Sequence, residues 1–113
     1  MGQMLSGWAR LKINGARGDT ITMRFIEELS VNSYGQKDVY ILKGGGQEIW
    51  EPRFTWHAFR HVEVTGADEL ALENLEGIVV NTNVDTVGFF ECSNELFNKI
   101  HQNYVWTQLG NFH

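Results

Sequence analysis

Thr20-Ile21-Thr22-Met23-Arg24-Phe25-Ile26-Glu27-Glu28-Leu29 decides the fold. Ile21, Met23 and Phe25 fall on one side of an extended chain, and Thr20, Thr22 and Arg24 fall on the other. Successive side chains of a strand point to opposite faces, so this alternation predicts a half-buried strand. Upstream, Trp8 to Ile13 is a second β-like run. The two are joined by Asn14-Gly15-Ala16-Arg17-Gly18-Asp19, a loop of residues that tolerate positive φ. Downstream, Ser30 to Lys37 is polar and turn-like. Val39-Tyr40-Ile41-Leu42 is apolar on both faces, which predicts a central strand, and Gly44-Gly45-Gly46 closes it with a turn.

Gln47 to Thr65 has no glycine and is rich in aromatic and β-branched residues. Pro52 cannot donate to a ladder, so it marks an edge, a bulge or a break between two strands. The apolar phase also slips. Phe54, Trp56, Val62 and Val64 share one face, while Phe59 falls on the other with His57 and His61. A bulge near Ala58, or burial of both faces, would account for that. Ala67 to Leu75 reads as an acidic loop with room for one helical turn, and Gly77–Val80 and Val87–Cys92 read as strands. From Ser93 the period changes. Ser93 or Asn94 can cap a helix, Leu96, Phe97, Ile100, Tyr104 and Thr107 recur at helical spacing, and Gly110 is a stop. About seven short strands and one helix predict an all-β chain, an antiparallel β-sandwich with a C-terminal helix. Ile21, Met23, Phe25, Phe54, Val62, Val64, Ile78, Val80 and Phe89 are the expected two-sheet core.

The 113 residues suit one domain with a core that needs no staples. Net charge is −5 and the nine basic residues are scattered, so a nucleic-acid partner is not expected. No apolar run approaches the roughly 20 residues that span a bilayer, so no membrane partner is expected either. The N-terminus has neither the basic nor the apolar region of a signal peptide. Compartment stays open. Cys92 is the single cysteine, which rules out an internal disulfide and reads as a small buried hydrophobe.

His57 and His61 are four apart, a zinc-chelating spacing on a helix. On one strand they would sit roughly 13 Å apart, beyond the reach of one ion, so no metal site is expected. The carboxylates Glu27-Glu28, Asp68-Glu69 and Glu73-Glu76 fall at strand ends or in loops. No pair stands out at the spacing a glycosidase needs, and they read as solvated surface. Trp8, Trp50 and Trp56 lie in expected strands and Trp106 in the helix. Aromatic faces stack on sugar rings, so the first three are the candidate carbohydrate-binding residues. Core or interdomain packing is the plainer reading. Phosphate-cradle and nucleophile motifs do not occur, and no cofactor is expected.

Tyr40-Ile41-Leu42-Lys43-Gly44 and above all Glu51-Pro52-Arg53-Phe54-Thr55-Trp56-His57-Ala58-Phe59-Arg60-His61-Val62-Glu63-Val64-Thr65-Gly66 resemble bacterial α-L-rhamnosidases. The likeness extends through Gly88-Phe89-Phe90-Glu91-Cys92-Ser93-Asn94 to Trp106-Thr107-Gln108-Leu109-Gly110-Asn111-Phe112. Upstream it includes Gly2-Gln3 and Gly7-Trp8-Ala9-Arg10-Leu11. The family more often has Tyr-His-Gly-Phe where this chain has Trp56-His57-Ala58-Phe59. The resemblance implies a concanavalin-like (jelly-roll type) sandwich lying just before a catalytic (α/α) six-hairpin barrel. That barrel would hold the acid and base of an inverting hydrolysis, in a stretch beyond His113. No catalytic residue of the family therefore maps onto this chain.

The expected division is a sandwich over residues 1–92 and a helical lead-in to the barrel over 93–113. The expected role is architectural, with the barrel of the same parent chain as partner. A carbohydrate-binding module for rhamnose-containing glycans is the rival, and an exposed coplanar pair among Trp8, Trp50 and Trp56 would favour it. A free-standing enzyme would need a pocket with two carboxylates. The helix stripe Leu96, Phe97, Ile100 and Tyr104 is too apolar for a free solvated helix. It is expected to pack on the sandwich, or on a second copy of the chain by self-association.

Overall fold

A computed structural model describes residues 1–30, 35–68 and 70–113. Among the described residues seven strands precede one helix: β1 (Leu5–Ile13), β2 (Thr20–Ile26), β3 (Lys37–Ile41), β4 (Glu48–Trp50), β5 (His57–Phe59), β6 (His61–Thr65), β7 (Leu75–Val79) and α1 (Glu95–Leu109). A 3-10 turn at Leu72–Asn74 supplies the helical turn expected in the acidic loop. Much of the turn expected over Ser30 to Lys37 lies outside the described residues, as does Glu69.

The strands form two antiparallel sheets. In the first, β1 is the hub. Its residues Leu5 to Gly7 pair with β5 and Leu11 to Ile13 pair with β4, while Gly7 to Leu11 pair with β7. Gly7 and Leu11 each have two partners, so β7 lies on one edge of β1, and β4 and β5 follow each other along the opposite edge. In the second sheet β2 lies between β3 and β6. The inward faces interdigitate. Leu5, Ala9, Leu11, Ile13 and Phe59 meet Ile21, Met23, Phe25 and Leu42 in one core. Each large apolar side chain so buried contributes about 1.5–3 kcal/mol.

The alternation from Thr20 holds, with Ile21, Met23 and Phe25 buried. Val62, Val64 and Leu75 pack partly buried against them. Four expected core residues lie elsewhere. Ile78 pairs with Trp8, whose neighbours Gly7 and Ala9 point inward, so Ile78 is half-buried on the outer face of its sheet. Val80 lies just past the end of β7, half-buried outside the core. Phe54 sits at φ 63°, fully solvent-exposed. Six residues separate Trp50 from His57, but only three separate their partners Leu11 and Gly7, so the excess must loop out and carries Phe54 with it. Phe89 is 94% exposed. No strand forms over Val87–Cys92 among the described residues, where the chain has left the first sheet after β7.

Two further expectations change. Val39 to Leu42 is not central: β3 is an edge strand, and Val39 and Ile41 face solvent while Tyr40 and Leu42 turn inward. The phase slip is neither a bulge at Ala58 nor two-sided burial of one strand. The chain changes sheets at Arg60, which separates β5 in the first sheet from β6 in the second. Arg60 N–H donates to Ile26 O (3.0 Å) at that corner.

Glu48, only 4% exposed, holds the glycine turn before β4. Its carboxylate accepts from the Tyr40 hydroxyl and from the backbone N–H of Gly44 (2.8 Å). The Tyr40 bond, helped by the turn amides, holds its pKa below the ordinary carboxylate range against the opposing effect of burial. A depressed folded-state pKa stabilises the fold above the unfolded pKa, and that stability is lost as pH falls through the folded value. Glu48→Gln is therefore expected to be destabilised at neutral pH and to lose less on acidification than the parent chain. Urea midpoints measured across the acid range check this, and parallel acid limbs for the two proteins would refute it.

Candidate functional site

No coplanar exposed pair forms among Trp8, Trp50 and Trp56. Trp50 lies opposite Leu11 and points inward, where it stacks on Tyr40 of the facing sheet at 5.0 Å between centroids and 20° between planes. Trp8 points outward from β1 and its indole Nε1–H donates to Glu51 Oε2 (3.1 Å). Trp56 stands in the loop before β5, 48% exposed, with its ring tilted against His113 at 3.9 Å.

Around Trp8 the outer face of the first sheet carries a charged cluster. Arg10 bonds Glu51 through Nε (2.9 Å) and Glu76 through Nη1 (3.1 Å). The Trp8 and Arg10 hydrogen bonds lower the Glu51 pKa, and the bond to Glu51 raises that of Arg10. These groups are well solvated, so the cluster fixes the loop's position more than it adds stability. The sequence does not reveal it, since Arg10, Glu51 and Glu76 come from three distant segments.

His57 and His61 are not two residues of one strand. The corner at Arg60 assigns them to different sheets. His57 turns inward rather than toward solvent. Its Nε2 lies 2.9 Å from Asp38 Oδ1, both side chains are 11% exposed, and its ring stacks on Phe25 at 4.1 Å. The pair ties β5 of one sheet to β3 of the other. Among the described residues no group of three or more His, Cys, Asp or Glu side chains could hold a metal. Glu27, Glu28, Asp68, Glu73 and Glu76 are exposed, as expected.

The helix meets the sandwich at one end. Asn94 caps it by accepting from Leu96 N–H (3.0 Å), and Asn98 bonds both the N–H and the carbonyl of Cys92. At the other end Ser6 Oγ donates to Gly110 O (2.6 Å) and Thr82 N–H donates to Phe112 O (2.6 Å). Between them the stripe is open: Leu96, Phe97, Ile100 and Tyr104 are 62, 55, 54 and 62% exposed. The sandwich does not cover the stripe, so the first of the two expected coverings is not made. The radius of gyration is 17.1 Å, against about 13 Å for a compact domain of about 100 residues, because the helix stands off the sheets. At the anchored end a groove of about 540 Å³ runs between the start of β1 and the last turns of α1.

Comparison with known proteins gives the family. The family model described as the bacterial α-L-rhamnosidase concanavalin-like domain matches residues 1–81, and that of the bacterial α-L-rhamnosidase 6 hairpin glycosidase domain matches residues 85–113. An α-L-rhamnosidase of Streptomyces avermitilis is 38% identical over 99% of this chain, and one of Formosa agariphila is 33% identical over 99%. The chain spans 12% and 13% of the lengths of those relatives. Solved α-L-rhamnosidases of Dictyoglumus thermophilum and Aspergillus terreus superpose with TM-scores of 0.88 and 0.84, at 43% and 37% identity. Each superposition covers 98% of this chain and 14% of the solved one. The chain thus belongs to the bacterial α-L-rhamnosidase family, as its concanavalin-like sandwich followed by the opening helix of the six-hairpin glycosidase domain.

Proposed function

We propose that this segment is the non-catalytic scaffold of an inverting α-L-rhamnosidase that releases L-rhamnose from rhamnosides. Residues 1–92 form the sandwich, and residues 93–113 lead into an (α/α) barrel that carries the acid and base. The observation that carries the reading is the helix. It is capped and regular, hydrogen-bonded to the sandwich at one end, and bare along Leu96, Phe97, Ile100 and Tyr104. A stripe of that kind needs a covering partner, and neighbouring barrel helices are one of the right shape. Inverting hydrolysis needs two carboxylates roughly 6.5–9.5 Å apart across one bond. Among the described residues, Glu27 is the one carboxylate lining the groove beside α1, and Glu51 the one lining the cleft at Ile49 to Arg53.

The chain is expected not to hydrolyse an aryl α-L-rhamnoside; turnover in a preparation free of full-length enzyme would overturn the assignment. L-Rhamnose is expected to bind weakly or not at all in a calorimetric titration. A saturable isotherm abolished by Trp56→Ala would instead favour the carbohydrate-binding module. Within the full-length parent, Leu96→Asp with Ile100→Asp is expected to split one calorimetric unfolding transition into two. Each side chain forfeits about 1.5–3 kcal/mol of burial. A single unshifted transition would show that the stripe is not the joint.

A further inference from the structure

We propose that Asn14-Gly15 is a self-modifying site. The backbone nitrogen of Gly15 closes on the Asn14 side chain, and water then opens the ring to aspartate or isoaspartate. The inference goes beyond the scaffold reading and does not rest on it. Of the nine asparagines, Asn14 alone is followed by glycine. Attack on the preceding side-chain carbonyl needs space around the backbone nitrogen, and glycine has no Cβ to crowd it. Both residues are exposed and lie outside the strands. Among the described residues neither the Asn14 side chain nor the Gly15 N–H makes a hydrogen bond. Asn94, Asn98 and Asn111 differ, since their side chains are bonded at the two ends of the helix.

Fixed points flank the pair. On one side Ile13 is paired with Glu48. On the other, Ala16 N–H donates to Asp19 Oδ2 (2.7 Å), Gly18 N–H donates to Leu42 O (2.9 Å) and Leu42 N–H donates to Asp19 O (2.9 Å). Asn14 and Gly15 are thus a short exposed link between anchors, and an attack within it needs no encounter of separate molecules. The Gly15 nitrogen bonds to Asn14 Cγ and the Cγ–Nδ2 bond breaks. Nδ2 leaves as ammonia, carrying the proton that the Gly15 amide gives up. Water then cleaves the five-membered imide. Opening at Cγ gives aspartate. Opening at the Asn14 backbone carbonyl gives isoaspartate, whose main chain runs through Cβ and Cγ and is one methylene longer. Either product adds a negative charge to a net −5.

The test incubates the folded chain in mildly alkaline buffer and follows the tryptic peptide 13–17 by mass spectrometry, with electron-transfer fragmentation to separate the two products. That peptide is expected to exchange an amide for an acid before any other asparagine of the chain does. The rate should rise with pH, because the attacking nitrogen must lose a proton. Isoaspartate among the products is the mark of the ring, since direct hydrolysis of the side-chain amide gives aspartate only. Asn14→Gln inserts a methylene between the reacting atoms and is expected to slow the reaction at this position about tenfold or more. Gly15→Ala is expected to do the same. Its Cβ would meet the Leu42 Cδ1 methyl and Asp19 Oδ2, so Asn14→Gln, at an exposed position, carries the test should that variant fail to fold. Four results would each overturn the proposal: no change at position 14 while a free peptide of residues 12–19 reacts, an earlier change at another asparagine, aspartate as the sole product, or an unslowed folded variant. Each would leave the scaffold reading standing, whereas rhamnoside turnover would remove the scaffold reading without bearing on this link.

Discussion

His57→Ala is expected to cost about 3–5 kcal/mol, the scale for breaking a buried pair from one side. The ring contributes twice. Its Nε2 is the partner of Asp38 Oδ1 at 2.9 Å, and its face stacks on Phe25 at the centre of the core. The other oxygen of that carboxylate, Oδ2, is already buried with no partner among the described residues. Deleting the ring would leave a buried carboxylate with neither oxygen satisfied, and an unmade bond to a buried charge costs more than a made one contributes. With 11% of each side chain exposed, some water reaches the pair, so the low end of the range is the better expectation. Replacing both partners by leucine removes the charge together with its need, and should recover most of the loss. Urea unfolding with an unchanged slope would measure both proteins. A single mutant within 1 kcal/mol of the parent, about the worth of an ordinary hydrogen bond, would show that the two sheets are not held by this contact.

Gly7→Ala is expected to lose about 3 kcal/mol, the upper end of overpacking costs. A Cβ there would lie 1.8 Å from the carbonyl oxygen of Ile78 and 2.9 Å from its carbon. Those atoms are backbone and cannot rotate away. Gly7 is also fixed on both edges, opposite His57 and opposite Val79, so relief requires β7 to move out of register. Gly45→Ala is the control. Gly45 has φ 100°, yet nothing lies within 4 Å of an added Cβ, so only the left-handed strain of about 1–2 kcal/mol remains. Equal losses at the two positions in thermal unfolding would refute the steric account.

What could be read from the residues divides along the range of the interaction that decides it. The strand from Thr20 and the helix from Glu95 follow from near neighbours, by alternation in one and by caps and 3.6-residue recurrence in the other. Val87 to Cys92 has strand-like composition, but a strand exists only beside another strand, and composition does not reveal whether an edge is free. Phe54 leaves the core because β4 and β5 share one edge of β1, a fact about three segments at once. The same distance hid the polar pair that bridges the sheets. Asp38 and His57 are 19 residues apart and lie on different sheets. The seam groove likewise joins Met4, Glu27 and Arg60 to Asn103 and Trp106, which no local pattern links.

The placement of β1 also sets an order of assembly. β2 and β3 are near neighbours in the chain and can zip together once residue 41 has left the ribosome. β1, although synthesised earlier, pairs among the described residues with β4, β5 and β7, between residues 48 and 79. Its loops are long, and loop closure must precede the contacts that reward it, so this sheet is the slow one. Until β7 emerges, β1 keeps the edge that β7 will occupy unpaired and open to a chaperone.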